Sequence, residues 1–179
     1  MNFDLEQLLK HLRVNKISDA QYRGENLPGK RKAVFGGQVI AQALSATIQH
    51  TDSDRQPHSL HCHFLRPGNV AVPIDYQVVV VRDGGSFSLR QVTAMQDGKA
   101  IFLATISFQK PERGLQHQQP APPMQPRDEM ISEWEFWQQV QQERPEITYL
   151  RPPNFTALDI FSHFRPGVDA PAPQKDPAQ

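Results

Sequence analysis

The chain has one cysteine, Cys62, in 179 residues, so an internal disulfide is excluded. A single thiol fits a reducing compartment, and a cytoplasmic location is the expectation. Met1-Asn2-Phe3-Asp4 has no basic stretch leading into an apolar run, so no signal peptide is expected. No apolar run is long enough to span a bilayer. Charge of one sign is also missing in excess, with 19 basic against 19 acidic residues and a formal net charge of zero. That balance gives no global pull toward nucleic acid or an anionic membrane. Aromatic residues are not interleaved with basic clusters, which argues against a nucleic-acid surface. Proline is scarce at first and then abundant. Only Pro28, Pro57 and Pro67 precede residue 70, and most of the others lie beyond residue 110. The chain therefore divides into residues 1–109, expected to form a compact domain, residues 110–165, a linker with a helix and short strands, and residues 166–179, a Pro/Ala/Asp-rich tail expected to be disordered.

Within the first segment, Leu5, Leu8, Leu9 and Leu12 recur at helical spacing, which predicts a helix over Asp4 to Leu12 capped by Asn2 or Asp4. Ile17 to Arg23 reads as a strand and Gly24 to Lys32 as a loop. Val39 to Gln49 reads as a second helix, and no formal charge occurs from Gly36 to Gln49. A surface helix normally carries charge on one face, so burial nearly all round is expected. Strand-like runs follow at His58–Phe64, Ile74–Arg82, Phe87–Gln96 and Ala100–Gln109. Pro67-Gly68, Asp83-Gly84-Gly85 and Asp97-Gly98 separate them, as hairpins require. An antiparallel sheet curled round one apolar helix, an α+β arrangement, accommodates these segments. Lys110 to Arg127 is rich in Pro and Gln and reads as a connector. Glu129 to Glu143 reads as a helix with Met130, Trp134, Trp137 and Val140 on one stripe. Ile147–Leu150 and Ala157–Phe164 are possible strands.

Four groups of residues bear on chemistry. Gly36-Gly37-Gln38 opens the apolar helix, where unpaired N–H groups and the positive dipole end can hold a phosphate or polarise a carbonyl. The same glycines serve equally well for close packing in a tight turn. His58, His61, Cys62 and His63 suggest a metal, but on a strand His61 and His63 share one face and Cys62 takes the other. No second ligand set follows, so no metal is expected, and Leu60, Cys62 and Phe64 are placed toward the core. Arg66, Arg82, Arg90 and Lys99 lie in or beside strands, where cations either dock phosphates or are simply solvated. Thr105, Ser107 and Gln109 share one strand face. An absence completes the set: no Asp or Glu occurs between Glu25 and Asp52, so the central helix carries no general base.

Taken together, four ordered runs resemble the type II acyl-CoA thioesterases. They are Val34-Phe35-Gly36-Gly37-Gln38-Val39-Ile40-Ala41-Gln42-Ala43-Leu44, Ser59-Leu60-His61-Cys62-His63-Phe64-Leu65-Arg66-Pro67-Gly68, Ser86-Phe87-Ser88-Leu89-Arg90-Gln91-Val92 and Ile106-Ser107-Phe108-Gln109. The sequence departs from that family at Gly85, where an arginine is usual. The resemblance, over residues 1–165, implies the hotdog fold and hydrolysis of acyl-CoA to fatty acid and CoA by a water that Asp, Ser or Thr, and Gln position, without a cofactor. It implies two hotdogs in tandem, with those three residues in the second. None is matched here, which suggests an N-terminal half, split or truncated. Gly37, Gln38 and Gln109 stand as pseudo-site residues. Gly36, Gly37, Gln38, His61, Arg66 and Arg90 are the candidate substrate contacts. The expected partners are acyl-CoA and, through a sheet edge, a second copy or a second hotdog chain. The alternative is a non-catalytic hotdog module that binds acyl-CoA or a partner chain. A dehydratase-type hotdog fits worst, because no Asp-x-x-x-x-His or Tyr spacing accompanies the helix start.

Overall fold

A computed structural model of the chain describes residues 5–27, 32–123 and 126–145. Two compact units are distinguished, one of residues 6–116 and one of residues 1–5 with 117–179. In the first, α1 (Leu5–Leu12) leads into β1 (Asn15–Ser18) and β2 (Gln21–Gly24). Helix α2 (Gly36–Gln49) and strands β3 (Gln56–Phe64), β4 (Ile74–Asp83), β5 (Phe87–Gln96) and β6 (Lys99–Gln109) follow. The strands form one antiparallel sheet in the order β1-β2-β4-β5-β6-β3. The strand expected over Ile17–Arg23 is in fact the middle of a hairpin. Asp19 and Ala20 turn the chain there, Ser18 pairs with Gln21, and Tyr22 enters the core. Asp97 and Gly98 take φ of 48° and 71°, the positive pair that a two-residue hairpin turn demands.

Period-2 alternation builds the inner face of the sheet. Val92 and Ala94 on β5, Phe102, Ala104, Ile106 and Phe108 on β6, and Ile74, Tyr76 and Val78 on β4 all point inward. They meet Val39, Ala43 and Ala46 of α2. The helix starts three residues before Val39, because Phe35 O already accepts from the N–H of Gln38 (3.0 Å) and of Val39 (3.3 Å). Burial nearly all round does not hold for α2. Gln38, Val39, Gln42, Ala43, Ala46 and Thr47 form a fully buried stripe, whereas Ile40 and Leu44 are half-buried and Ile48 is 47% exposed. The sheet curves over one side of the helix and leaves the other, equally apolar side partly open.

Lys110 to Pro123 carries no regular element. In the second unit a 3-10 turn at Arg127–Glu129 precedes α3 (Glu133–Glu143), shorter than the helix expected over Glu129–Glu143. Ser132 explains the later start: its hydroxyl accepts from the Glu135 N–H while the Glu135 carboxylate accepts from the Ser132 N–H, a complete capping box. Phe136, Trp137 and Val140 form the buried stripe; Trp134 lies outside it. The caps proposed at Asn2 and Asp4, the strands at 147–150 and 157–164, and the tail at 166–179 lie outside the described residues.

Candidate functional site

The start of α2 is held against one end of the sheet by backbone bonds. Val34 N–H donates to Gly68 O (2.9 Å), and Leu65 and Arg66 N–H both donate to Ile101 O (2.9 and 3.2 Å). Ala33 forms a bridge with Asn69. These bonds draw the segments before α2, after β3 and at the start of β6 into one frame. Inside it lies a cavity of about 490 Å³, lined mainly by Val34, Val39, Phe64, Leu65, Ile101 and Phe102. The volume falls within the range of small-molecule sites. Among the described residues Arg66 supplies the only formal charge of the lining and stays exposed, with Nη1 donating to Ala100 O at 2.6 Å.

Gly36 also lines this cavity, and its missing side chain lets a phenyl ring lie directly on the backbone. A Cβ there would lie 2.9 Å from Phe64 Cζ, and one on Gly37 would lie 2.6 Å from Phe35 Cε1. Both glycines of the helix start are thus roofed by phenyl rings. Phe64 reaches this position because it ends β3 on the inward face, paired with Phe102, its ring centroid 5.2 Å from that of Phe102. The sheet edge leaves Phe64 56% exposed and the chain turn leaves Phe35 49% exposed. The first N–H groups of any helix lack in-helix acceptors and carry the positive dipole end. Here that polarity meets an apolar cavity with a cationic rim.

Of the candidate contacts, Gly36 and Arg66 come together here, while Gly37 lies next to them under Phe35 and outside the lining. Gln38 belongs to the same helix turn, but its side chain points inward and is fully engaged. Its Oε1 accepts from Leu27 N–H (3.0 Å), and its Nε2 donates to Asn26 Oδ1 (3.0 Å) and Glu25 O (3.3 Å). Gln42, one turn on, does the same work: Nε2 donates to His11 O (2.6 Å) and Glu25 O (2.8 Å), and Oε1 accepts from Tyr76 O–H (2.8 Å). These two glutamines strap the segment from α1 to β2 onto the helix. Burial holds the Tyr76 phenol far above its ordinary range, so it remains a donor at every physiological pH.

Three candidates lie elsewhere. His61 pairs with Thr105 on the exposed outer face of the sheet, away from α2. Arg90 sits at the opposite end of α2, only 3% exposed. Its Nη1 donates to Asp83 Oδ1 (2.7 Å) and its Nε to His50 O (3.2 Å). The guanidinium of Arg90 bonded to Asp83 holds that carboxyl below the usual aspartate range. Gln109 pairs with Gln56 and Phe87. It stands seven residues along β6 from Phe102, about 24 Å at ~3.4 Å per residue, so it does not meet the helix start within this unit. Among the described residues no group of three or more His, Cys, Asp or Glu assembles as a metal set. Cys62 faces α2 while His61 and His63 face outward. The roofing rings Phe35 and Phe64 and the liner Ile101 were not singled out by sequence. For Phe64 the signal was there in the alternation of β3, which places it inward at the strand's open end.

Residues 26–109 match the family model described as acyl-CoA thioesterase N-terminal domain. The chain is 42% identical over 142 residues to acyl-CoA thioesterase 2 of Haemophilus influenzae, covering 79% of this chain and 50% of that one. Among solved structures it is similar to the acyl-CoA thioesterase II TesB2 from Mycobacterium marinum, with 35% identity and a TM-score of 0.63. That match covers 74% of this chain and 48% of the other. It is also similar, at 25% identity and a TM-score of 0.62, to a conserved protein of unknown function with hot dog fold from Alicyclobacillus acidocaldarius, over 68% of this chain and 47% of that one. The chain spans about half the length of the curated relatives it matches.

Proposed function

The chain belongs, through residues 26–109, to the acyl-CoA thioesterase N-terminal domain family, and on that premise we propose that it is the first hotdog of an acyl-CoA thioester hydrolase. It binds acyl-CoA at the start of α2, and a second hotdog supplies the groups that activate water. The observation that carries this reading is the α2 start itself. It offers a cavity, two glycines and a cationic rim at Arg66, yet no carboxylate stands between Glu25 and Asp52. Attack of water on a thioester carbonyl needs a proton acceptor. Nothing on this helix can be one.

The second hotdog joins along β3. That strand is the sheet edge, and almost every residue from Gln56 to Phe64 is exposed. An edge of this length invites pairing. The open side of α2, with Ile40, Leu44 and Ile48, gives a joining partner apolar surface to cover. In the absence of such a partner a second copy takes the edge. A cytoplasmic setting goes with the reading: Cys62 is the single thiol, and no described helix is long and apolar enough to cross a membrane.

Complementation tests the proposal. The chain is mixed with a separately produced second hotdog of a similar thioesterase, and thiol release from acyl-CoA is followed. Activity that appears only in the mixture is expected. A mixture that stays inactive while the chain binds acyl-CoA favours the second reading, a non-catalytic acyl-CoA-binding module.

A further inference from the structure

We infer that Phe64 is the specificity-determining wall of the α2-start cavity, and that the cavity takes the tail of a straight-chain aliphatic acyl group. The inference rests on the reading that this chain binds acyl-CoA, and it deepens that reading by assigning the acyl class and the residue that limits it.

The lining sets the class. Val34, Val39, Leu65, Ile101 and Phe102 present aliphatic and aromatic surface, and among the described residues no polar side chain projects between them to orient a hydroxyl or a second carboxylate. A hydroxylated or dicarboxylic acyl group would lose its water there without compensation. Arg66 is at the exposed margin, its guanidinium anchored by Ala100 O with donors to spare. An unsubstituted hydrocarbon tail matches this lining, and a free sugar phosphate does not.

Phe64 sets the limit because it is the least confined wall. Val39 and Phe102 are core residues, 4% and 0% exposed, and Ile101 is buried as well. Phe64 packs on Phe102 from one side only and is otherwise open at the sheet edge. Its ring also lies against the Gly36 backbone, where a Cβ would come within 2.9 Å of Cζ and push the ring aside. The ring therefore closes the cavity against the helix start, and its size decides how much acyl chain the cavity admits.

The test measures Kd for saturated acyl-CoAs of increasing length on the wild-type 179-residue chain and its F64A and F64W variants. Each methylene that enters the cavity contributes about 0.8 kcal/mol, or roughly fourfold in Kd, until the cavity is full. Wild type is expected to tighten with length and then level off. F64A is expected to level off at longer chains and F64W at shorter ones, with CoA alone binding all three equally. Variants that level off where wild type does overturn the role of Phe64 and leave the acyl-CoA reading standing. Preference of wild type for a hydroxylated or dicarboxylic acyl-CoA over the saturated one of equal length overturns the assigned class. Wild type that binds no acyl-CoA of any length overturns the reading and the inference together. Far-ultraviolet circular dichroism checks folding, and F64W keeps the test decisive where F64A does not fold.

Discussion

Gln42 is an example of a polar residue whose value lies in the backbone it satisfies. Fully buried in α2, it bonds His11 O, Glu25 O and Tyr76 O–H at once. Gln42→Leu keeps the volume but strands His11 O and the Tyr76 hydroxyl, while Glu25 O keeps Gln38 Nε2, and each buried unsatisfied group costs about 1–3 kcal/mol. A loss of several kcal/mol in urea denaturation is expected, with faster amide exchange in the α1–β2 strap. Gly24 belongs to the same arrangement, since a Cβ there would lie 2.5 Å from Gln42 Oε1. Gly85 is the contrast. Nothing lies within 4 Å of its would-be Cβ, so the arginine usual in the family fits there, and Gly85→Arg should change stability by no more than about 0.5 kcal/mol. Asp83 gives a pH signature. Its folded carboxyl titrates below its unfolded value of ~3.9 because the bonded Arg90 guanidinium favours the anion. The folded state therefore binds fewer protons between the two values, and this stabilisation, complete above the unfolded value, is lost as pH falls through the folded one. In acid titrations Asp83→Asn should remove that part of the loss, and an unchanged acid limb would contradict the assignment.

At the scale of elements, much of the architecture was legible because it rests on periodicity. The inward alternation of β5 and β6 and the Asp97-Gly98 turn follow directly from residue pattern. Two features were not legible. The Asn15–Gly24 hairpin looked like one strand because its turn, Asp19-Ala20, has neither Gly nor Pro. The open side of α2 looked buried because its apolarity is continuous, and a sequence does not reveal which neighbour covers each side. The same limit applied to the site. Gly36 and Arg66 converge, but Gln38 is turned inward by the 25–27 loop, and Arg90 and Gln109 are carried to the far end by strand register. Helix α3 offers a local check. Ser132→Ala removes the capping hydroxyl and should weaken the helix by about 1 kcal/mol, seen as increased exchange of the first-turn amides at Glu133–Glu135.

At the scale of the molecule, the sheet has one long exposed edge, β3, beside a helix with an uncovered apolar side. The lone chain should therefore self-associate at tens of micromolar by sedimentation, with β3 amides gaining protection from exchange on association. A strictly monomeric species would remove β3 as the joining edge. The division of labour proposed above follows from the same anatomy: acyl-CoA is held at the α2 start, and the base that activates water stands outside this chain's helix. The most direct test is thiol release from saturating saturated acyl-CoA by the purified chain alone, under conditions where binding has been demonstrated. Bound acyl-CoA with no release above the uncatalysed rate is the predicted result. Steady turnover by the chain alone would contradict it, because a general base would then have to lie within these 179 residues.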